Sequence, residues 1–124
     1  MVFKLKKTTR IYIAGHKGLI GSAFIRSLDK LHYSNTIVKD KSEVNLTSKD
    51  DTYNFFYENQ PEVVILAAGR VGGIIQNRDF PADFINENLS IQLNVFKAAQ
   101  KYGVKRLIFF GSSCLGLSSV IKIF

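Results

Sequence analysis

Three short apolar runs set the terms for any fold this chain can adopt. Val63-Val64-Ile65-Leu66-Ala67-Ala68 carries no polar alternation, the pattern of a strand covered on both faces. Arg10-Ile11-Tyr12-Ile13-Ala14-Gly15 and Arg106-Leu107-Ile108-Phe109-Phe110 have the same character. Helical spacing fills the intervals. Ile20, Phe24, Ser27/Leu28 and Leu31 recur at that period and predict a helix over 19–31. Thr36-Ile37-Val38 reads as a further strand. Thr47 is expected to cap the next helix, with Asp50 as the capping-box acid. That helix ends near Asn59, because Pro61 forbids its continuation. Pro81 suits the first turn of a long helix reaching Tyr102, stopped by Gly103. Its inner face is expected to be Ile85, Leu89, Gln92/Leu93, Phe96 and Ala99.

The order β-α-β-α-β-α-β argues for parallel strands joined by right-handed crossovers. The expected class is α/β, an incomplete Rossmann-like doubly wound parallel sheet with strand order 3-2-1-4. Residues 10–114 form that domain, preceded by a basic leader, 1–9, and followed by a divergent tail, 115–124. Ligands of such sheets sit at the carboxyl ends of the strands. Those are the places where this sequence concentrates glycine, serine and charge.

Composition removes several function classes. The 124 residues are 46% hydrophobic and include one cysteine, Cys114. A single cysteine forms no intramolecular disulfide, which fits a reducing cytoplasm. Cys114, His16 and His32 are too few and too scattered for a zinc site, so no metal is expected. No apolar run approaches the roughly 18 residues of a membrane span, and the start lacks a secretory apolar core. Of the net charge of +7, Lys4, Lys6, Lys7 and Arg10 supply four. That cluster is expected to be a solvated tail, and no nucleic-acid module accompanies it.

The first strand runs into Gly15-His16-Lys17-Gly18-Leu19-Ile20-Gly21, a GxxGxxG turn that opens a helix. Glycine permits the tight turn and close backbone approach to a pyrophosphate, whose charge the helix N-terminus favours. The expected ligand is therefore a dinucleotide. An acid after the second strand usually binds the ribose 2′-hydroxyl of NAD, whereas basic residues there suit the 2′-phosphate of NADP. Asp40 is such an acid, but Lys39 and Lys41 flank it and Lys17 lies in the turn. The balance favours NADP, with Asp40 as the dissenting residue.

Beyond the turn, Asn45-Leu46, Leu66-Ala67-Ala68, Val71-Gly72-Gly73-Ile74, Pro81-Ala82-Asp83-Phe84-Ile85 and Gly111-Ser112-Ser113-Cys114 follow in order. With Ile13 to Gly18 and Gly21-Ser22-Ala23, they make the chain resemble the amino-terminal part of the GDP-L-fucose synthase family. These are extended short-chain dehydrogenases/reductases. The resemblance spans about residues 10–114. It implies NADP-dependent epimerisation and reduction of GDP-4-keto-6-deoxy-mannose, in the cytoplasm. It suggests a family homodimer without assuring one here.

The resemblance also implies roles. Gly15, His16, Lys17, Gly18, Leu19, Ile20 and Gly21 would hold the pyrophosphate, and Lys41 would meet the 2′-phosphate. Asn45, Leu46, Ala67 and Ala68 would complete the cofactor site. Phe110, Gly111, Ser112 and Ser113 would line the nicotinamide side. Ser112 would hydrogen-bond the 4-keto oxygen, and Cys114, paired with a later histidine of the family, would move protons at the sugar C3 and C5. A carbonyl acidifies the neighbouring carbon, so a thiolate base there is chemically sound. The bland readings are a packed cysteine and ordinary loop hydroxyls. His16 is better read as a turn residue beside the cofactor than as a proton carrier, and Arg70 is left without a role.

The short-chain dehydrogenase acid/base pair is not found. Tyr12, Tyr33, Tyr53, Tyr57 and Tyr102 are followed four residues later by His16, Ile37, Tyr57, Pro61 and Arg106, never by lysine. After Cys114 the chain departs from the family's Ile-Tyr-Pro type continuation and closes on Val-Ile-Lys-Ile-Phe. The expectation is an amino-terminal fragment, inactive alone, with the outer edge of its fourth strand unpaired. Alternatives are another nucleotide-sugar epimerase or dehydratase of the superfamily, or a non-catalytic NADP-binding remnant.

Overall fold

The computed structural model describes residues 2–68, 81–112 and 118–122. Its elements in chain order are β1 (Ile11–Ala14), α1 (Leu19–Lys30), β2 (Thr36–Ile37), α2 (Lys49–Asn59), β3 (Val63–Leu66), α3 (Pro81–Lys101), β4 (Arg106–Ser112) and β5 (Ser118–Lys122). The first four strands are parallel, and β5 returns antiparallel to β4. The α/β class and the parallel sheet are as the sequence predicts.

Strand order is not. The sheet runs β2-β1-β3-β4-β5, so β1 sits between β2 and β3 rather than β2 sitting between the other two. Burial explains the correction. Every residue of β3 is buried, whereas both residues of β2 are only half-buried. A strand apolar on both faces belongs inside the sheet, and the short polar-flanked one takes the edge. The chain closing on β5 differs too. Ser112 opposes Ser118 and Ile108 opposes Lys122, so β5 covers the edge of β4 that was expected to stay open.

Side chains alternate across the sheet as the pleat requires. Ile11, Ile13, Val63 and Ile65 face α1, packing with Phe24, Ile25 and Leu28. Tyr12, Ala14, Val64, Leu66 and Leu107 face α2 and α3, meeting Phe55, Phe56, Ile91, Val95, Ala98 and Ala99. Helices therefore cover both faces, which makes the sheet doubly wound. Tyr12 anchors the second layer, its ring 4.5 Å from Phe55 and 6.0 Å from Phe56 between centroids.

The inner face of α3 is rotated from the expected one. Ile91, Asn94, Val95, Ala98 and Ala99 are buried, whereas Leu89 and Leu93 are 55% and 52% exposed. Phe96 does pack inward, on Phe109. The helix carries two apolar stripes, and a polar residue marks the true inner one. Asn94 donates from Nδ2 to the Leu46 carbonyl at 2.9 Å, so its burial leaves no amide unpaired. Ile85 lies in α3, but its side chain is outside the description.

The basic leader is more than a solvated tail. Phe3 packs on the α1-side core, and Thr9 is buried, its hydroxyl accepting from the Lys6 N–H at 2.8 Å. Lys7 Nζ donates to the Leu31 carbonyl at 2.7 Å and lies over the Tyr33 ring, a cation at the C-terminus of α1. Arg10 joins the starts of two strands through Glu62, 3.4 Å away.

Ser48, not Thr47, caps α2: its Oγ accepts from the Asp51 N–H at 3.3 Å. Thr47 instead turns back onto Asn45 Oδ1. At the other end Gln60 takes a left-handed φ of 48° before Pro61. Ser48→Ala is expected to lower unfolding stability in urea by about 1 kcal/mol, and Thr47→Ala by clearly less. The opposite ranking contradicts the cap.

Candidate functional site

The turn after β1 is held by two close approaches. Gly15 has φ +91°, and a Cβ there would lie 2.6 Å from the Ala67 carbonyl oxygen and 2.7 Å from the Ala68 nitrogen. Any side chain at 15 would force β1 and β3 apart at their carboxyl ends. A Cβ on Gly21 would run into the Gly15 carbonyl and the His16 Cα, so α1 can start here only on glycine. Gly18 is the N-cap of α1 and supplies no side-chain bond to the first turn, which also carries no acidic residue. The first N–H groups of the helix and its positive end are left for an anion.

A cleft of about 480 Å³ opens beside this turn, within the range of small-molecule sites. Gly15, His16, Lys17 and Gly18 line it from the turn, Ala67 and Ala68 from the end of β3, and Lys39 to Ser42 from the segment after β2. Val44 to Thr47 close its floor, and Glu87 and Ile91 reach it from α3. It lies at the carboxyl ends of neighbouring β1 and β3, the two strands whose following helices, α1 and α3, lie on opposite faces of the sheet, the switch point of an open α/β sheet.

Of the expected cofactor residues, Gly15, His16, Lys17, Gly18, Lys41, Asn45, Leu46, Ala67 and Ala68 meet in this cleft. Leu19, Ile20 and Gly21 form the first turn of α1 beside it. Leu19 is exposed and Gly21 is buried beneath the loop. Phe110 lies outside the cleft lining; its ring packs on Phe24, 5.3 Å between centroids, with the α1-side core. Gly111 and Ser112 end β4. Ser113, Cys114, Arg70 and the Val71 to Ile74 motif lie outside the described residues. Sequence reasoning missed Tyr12, Ser42, Val44, Thr47, Glu87 and Ile91. Tyr12 had a signal, being the one phenol in an aliphatic strand; Glu87 and Ile91 depend on the phase of α3.

Charge in the cleft is paired unevenly. Asp40 Oδ1 lies 3.0 Å from Lys17 Nζ and 3.3 Å from His16 Nε2. The hydrogen bond from Lys17 holds the Asp40 carboxyl below the usual carboxylate range. Lys39 faces Glu43 at 3.7 Å. Lys41 has no carboxylate within 4.0 Å among the described residues. Burial pushes the Tyr12 phenol upward, so it stays neutral in the cleft. Among the described residues, no three His, Cys, Asp or Glu side chains gather as a metal site, and no helix is long and apolar enough to cross a membrane.

Residues 11–116 match the family model described as NAD dependent epimerase/dehydratase family. The chain belongs to that family. GDP-L-fucose synthase 1 of Arabidopsis thaliana is 48% identical over 109 residues, covering 88% of this chain and 34% of the plant protein. GDP-L-fucose synthase of Escherichia coli K12 is 40% identical over 106 residues, 86% of this chain and 33% of the bacterial one. Among solved structures, MlghC, the GDP-mannoheptose C4 reductase of Campylobacter jejuni with NADP bound, superposes at a TM-score of 0.84 with 40% identity. That match covers 88% of this chain and 34% of MlghC. The chain thus spans about a third of the length of the relatives it matches.

A depressed Asp40 carboxyl has a definite sign in pH. Its pairing contributes to stability above the ordinary aspartate value and is lost as pH falls through the folded value. An NMR titration of the side-chain carboxyl is expected to find Asp40 below ordinary aspartate, with Lys17→Met moving it upward. An Asp40 midpoint at or above the ordinary value contradicts the Lys17 pair.

Proposed function

We propose that this chain is the NADP-binding part of a GDP-sugar epimerase-reductase of the GDP-L-fucose synthase type. The observation that carries the reading is the cleft at the β1/β3 switch point. It combines a backbone cradle that a single Cβ would fill with lysines at its rim. The residues fit a phosphorylated dinucleotide. The N-terminus of α1 suits the pyrophosphate, the Ala67–Ala68 edge and Leu46 offer apolar contact to the adenosine, and Lys17 and Lys41 are the charges for a 2′-phosphate. Identities of 40–48% to curated GDP-L-fucose synthases support the substrate class.

Within this reading NADPH supplies the hydride for reduction at the sugar C4. Ser112, the last residue of β4, hydrogen-bonds the 4-keto oxygen and draws charge onto it. Cys114, two residues on, serves with a second group, the family's later histidine, to remove the protons at C3 and C5 from one face and deliver them to the other; the adjacent carbonyl acidifies those carbons. The tyrosine-lysine pair that short-chain dehydrogenases use as acid/base is not in these 124 residues. The chain alone is therefore assigned cofactor binding without turnover. The superfamily's other nucleotide-sugar epimerases and dehydratases are the alternative; Cys114 directly after the serines favours the epimerase-reductase.

The test is a titration of NADPH and NADH, by nucleotide fluorescence, against the chain and its Lys41→Met variant. NADPH should bind the wild type, and the substitution should weaken it about tenfold, the scale of one charge-assisted hydrogen bond, while NADH changes little. Equal losses for both nucleotides, or no NADPH binding to the folded wild type, overturn the proposal.

A further inference from the structure

Asp40 is the acid that reaches Lys17 at the cleft rim, and its backbone is pinned where it stands. The Asp40 N–H donates to Glu43 Oε1 at 3.1 Å, and its carbonyl accepts from the N–H groups of Glu43 and Val44 at 2.9 and 3.0 Å. The side chain then reaches across to the glycine turn, where Oδ1 meets Lys17 and His16. It is 42% exposed, so it can swing into water without disturbing the core. A 2′-phosphate approaching this rim meets a lysine that already holds a carboxylate.

We infer that Asp40 is a specificity-determining residue that competes with the ribose 2′-phosphate for the Lys17 ammonium, lowering the preference for 2′-phosphorylated over 2′-hydroxyl adenosine. The inference rests on the cofactor reading above and goes beyond it by naming what opposes it. Two anions cannot share one ammonium at hydrogen-bond distance without repelling each other. When the phosphate takes Lys17, the Asp40 carboxylate must swing away or bear the repulsion at that distance. When the ligand carries only a 2′-hydroxyl, the Lys17–Asp40 pair stays intact and the carboxylate can accept from that hydroxyl. Lys41, without a carboxylate partner among the described residues, is the cation that retains its full attraction for the phosphate.

The pair of probes is 2′,5′-ADP and 5′-AMP, which differ only in the contested 2′-phosphate, titrated calorimetrically at low ionic strength. Wild type, Asp40→Asn, Lys17→Met and the double variant are compared, with Asp40→Ser as a second neutral replacement should the amide fail to fold. Removing the carboxylate should raise the affinity ratio of 2′,5′-ADP over 5′-AMP about fivefold, the upper scale of one exposed ion pair. In the Lys17→Met background the same substitution should raise it by less than half as much, because the contested cation is gone.

A ratio unchanged by both neutral replacements, in a chain that binds 2′,5′-ADP, overturns the competition and leaves the cofactor reading standing. So does a gain equally large without Lys17, which would be simple repulsion. Equal loss of both nucleotides marks Asp40 as structural and likewise overturns it. Failure of the folded wild type to bind either nucleotide removes both the inference and the reading on which it rests.

Discussion

Everything at the upper end of this sheet depends on how closely three backbone segments meet. The carbonyl edge of Ala67–Ala68 lies against Gly15, and Gly15 in turn lies against the start of α1 at Gly21. With no Cβ at either glycine, β1 can end beside β3 while α1 begins almost on top of the turn. The N-terminal turn of α1 is thereby packed directly on the turn that ends β1. A side chain at 15 or 21 would separate these segments, and the cradle would cease to exist before any ligand contact was considered. Binding capacity is therefore a property of packing, and the lysines only refine it.

That refinement is electrostatic and local. The chain's excess positive charge is divided between roles the total does not distinguish. Lys7 and Arg10 close the lower part of the fold, at the C-terminus of α1 and between strand starts. Lys17, Lys39 and Lys41 ring the cleft, two of them answered by Asp40 and Glu43. Lys41 has no carboxylate within 4.0 Å among the described residues. Such a rim can tell a phosphate from a hydroxyl by a few charge contacts, which salt screens easily because they face water.

Much of this was legible in the residues, and the failures have physical causes. Apolar runs without alternation reported strands covered on both faces, and the GxxGxxG spacing located the turn. Strand order was misread because the doubly wound pattern was extended by analogy. The contrast between fully apolar Val63–Leu66 and two-residue Thr36–Ile37 already argued for edge and centre. The face of α3 was misread because Leu89 and Leu93 form an apolar stripe as convincing as the buried one, and only the hydrogen bond of Asn94 to Leu46 shows why a polar residue turns inward. Ser48 and Thr47 compete one residue apart for a cap, a choice that propensity does not settle. The sequence shows Asp40 between two lysines, but its grip on Lys17 across about 20 residues of sequence needs coordinates.

The central claim is that the cleft between the ends of β1 and β3 is the dinucleotide site. The most direct measurement is an amide NMR map of the isotope-labelled chain titrated with NADP. The account predicts that the largest shifts fall on Gly15 to Gly21, Lys39 to Thr47 and Ala67–Ala68, with the strand starts near Arg10 and Glu62 unmoved. Shifts centred on the exposed Leu89–Leu93 face or on the basic leader, with the glycine turn silent, would contradict it.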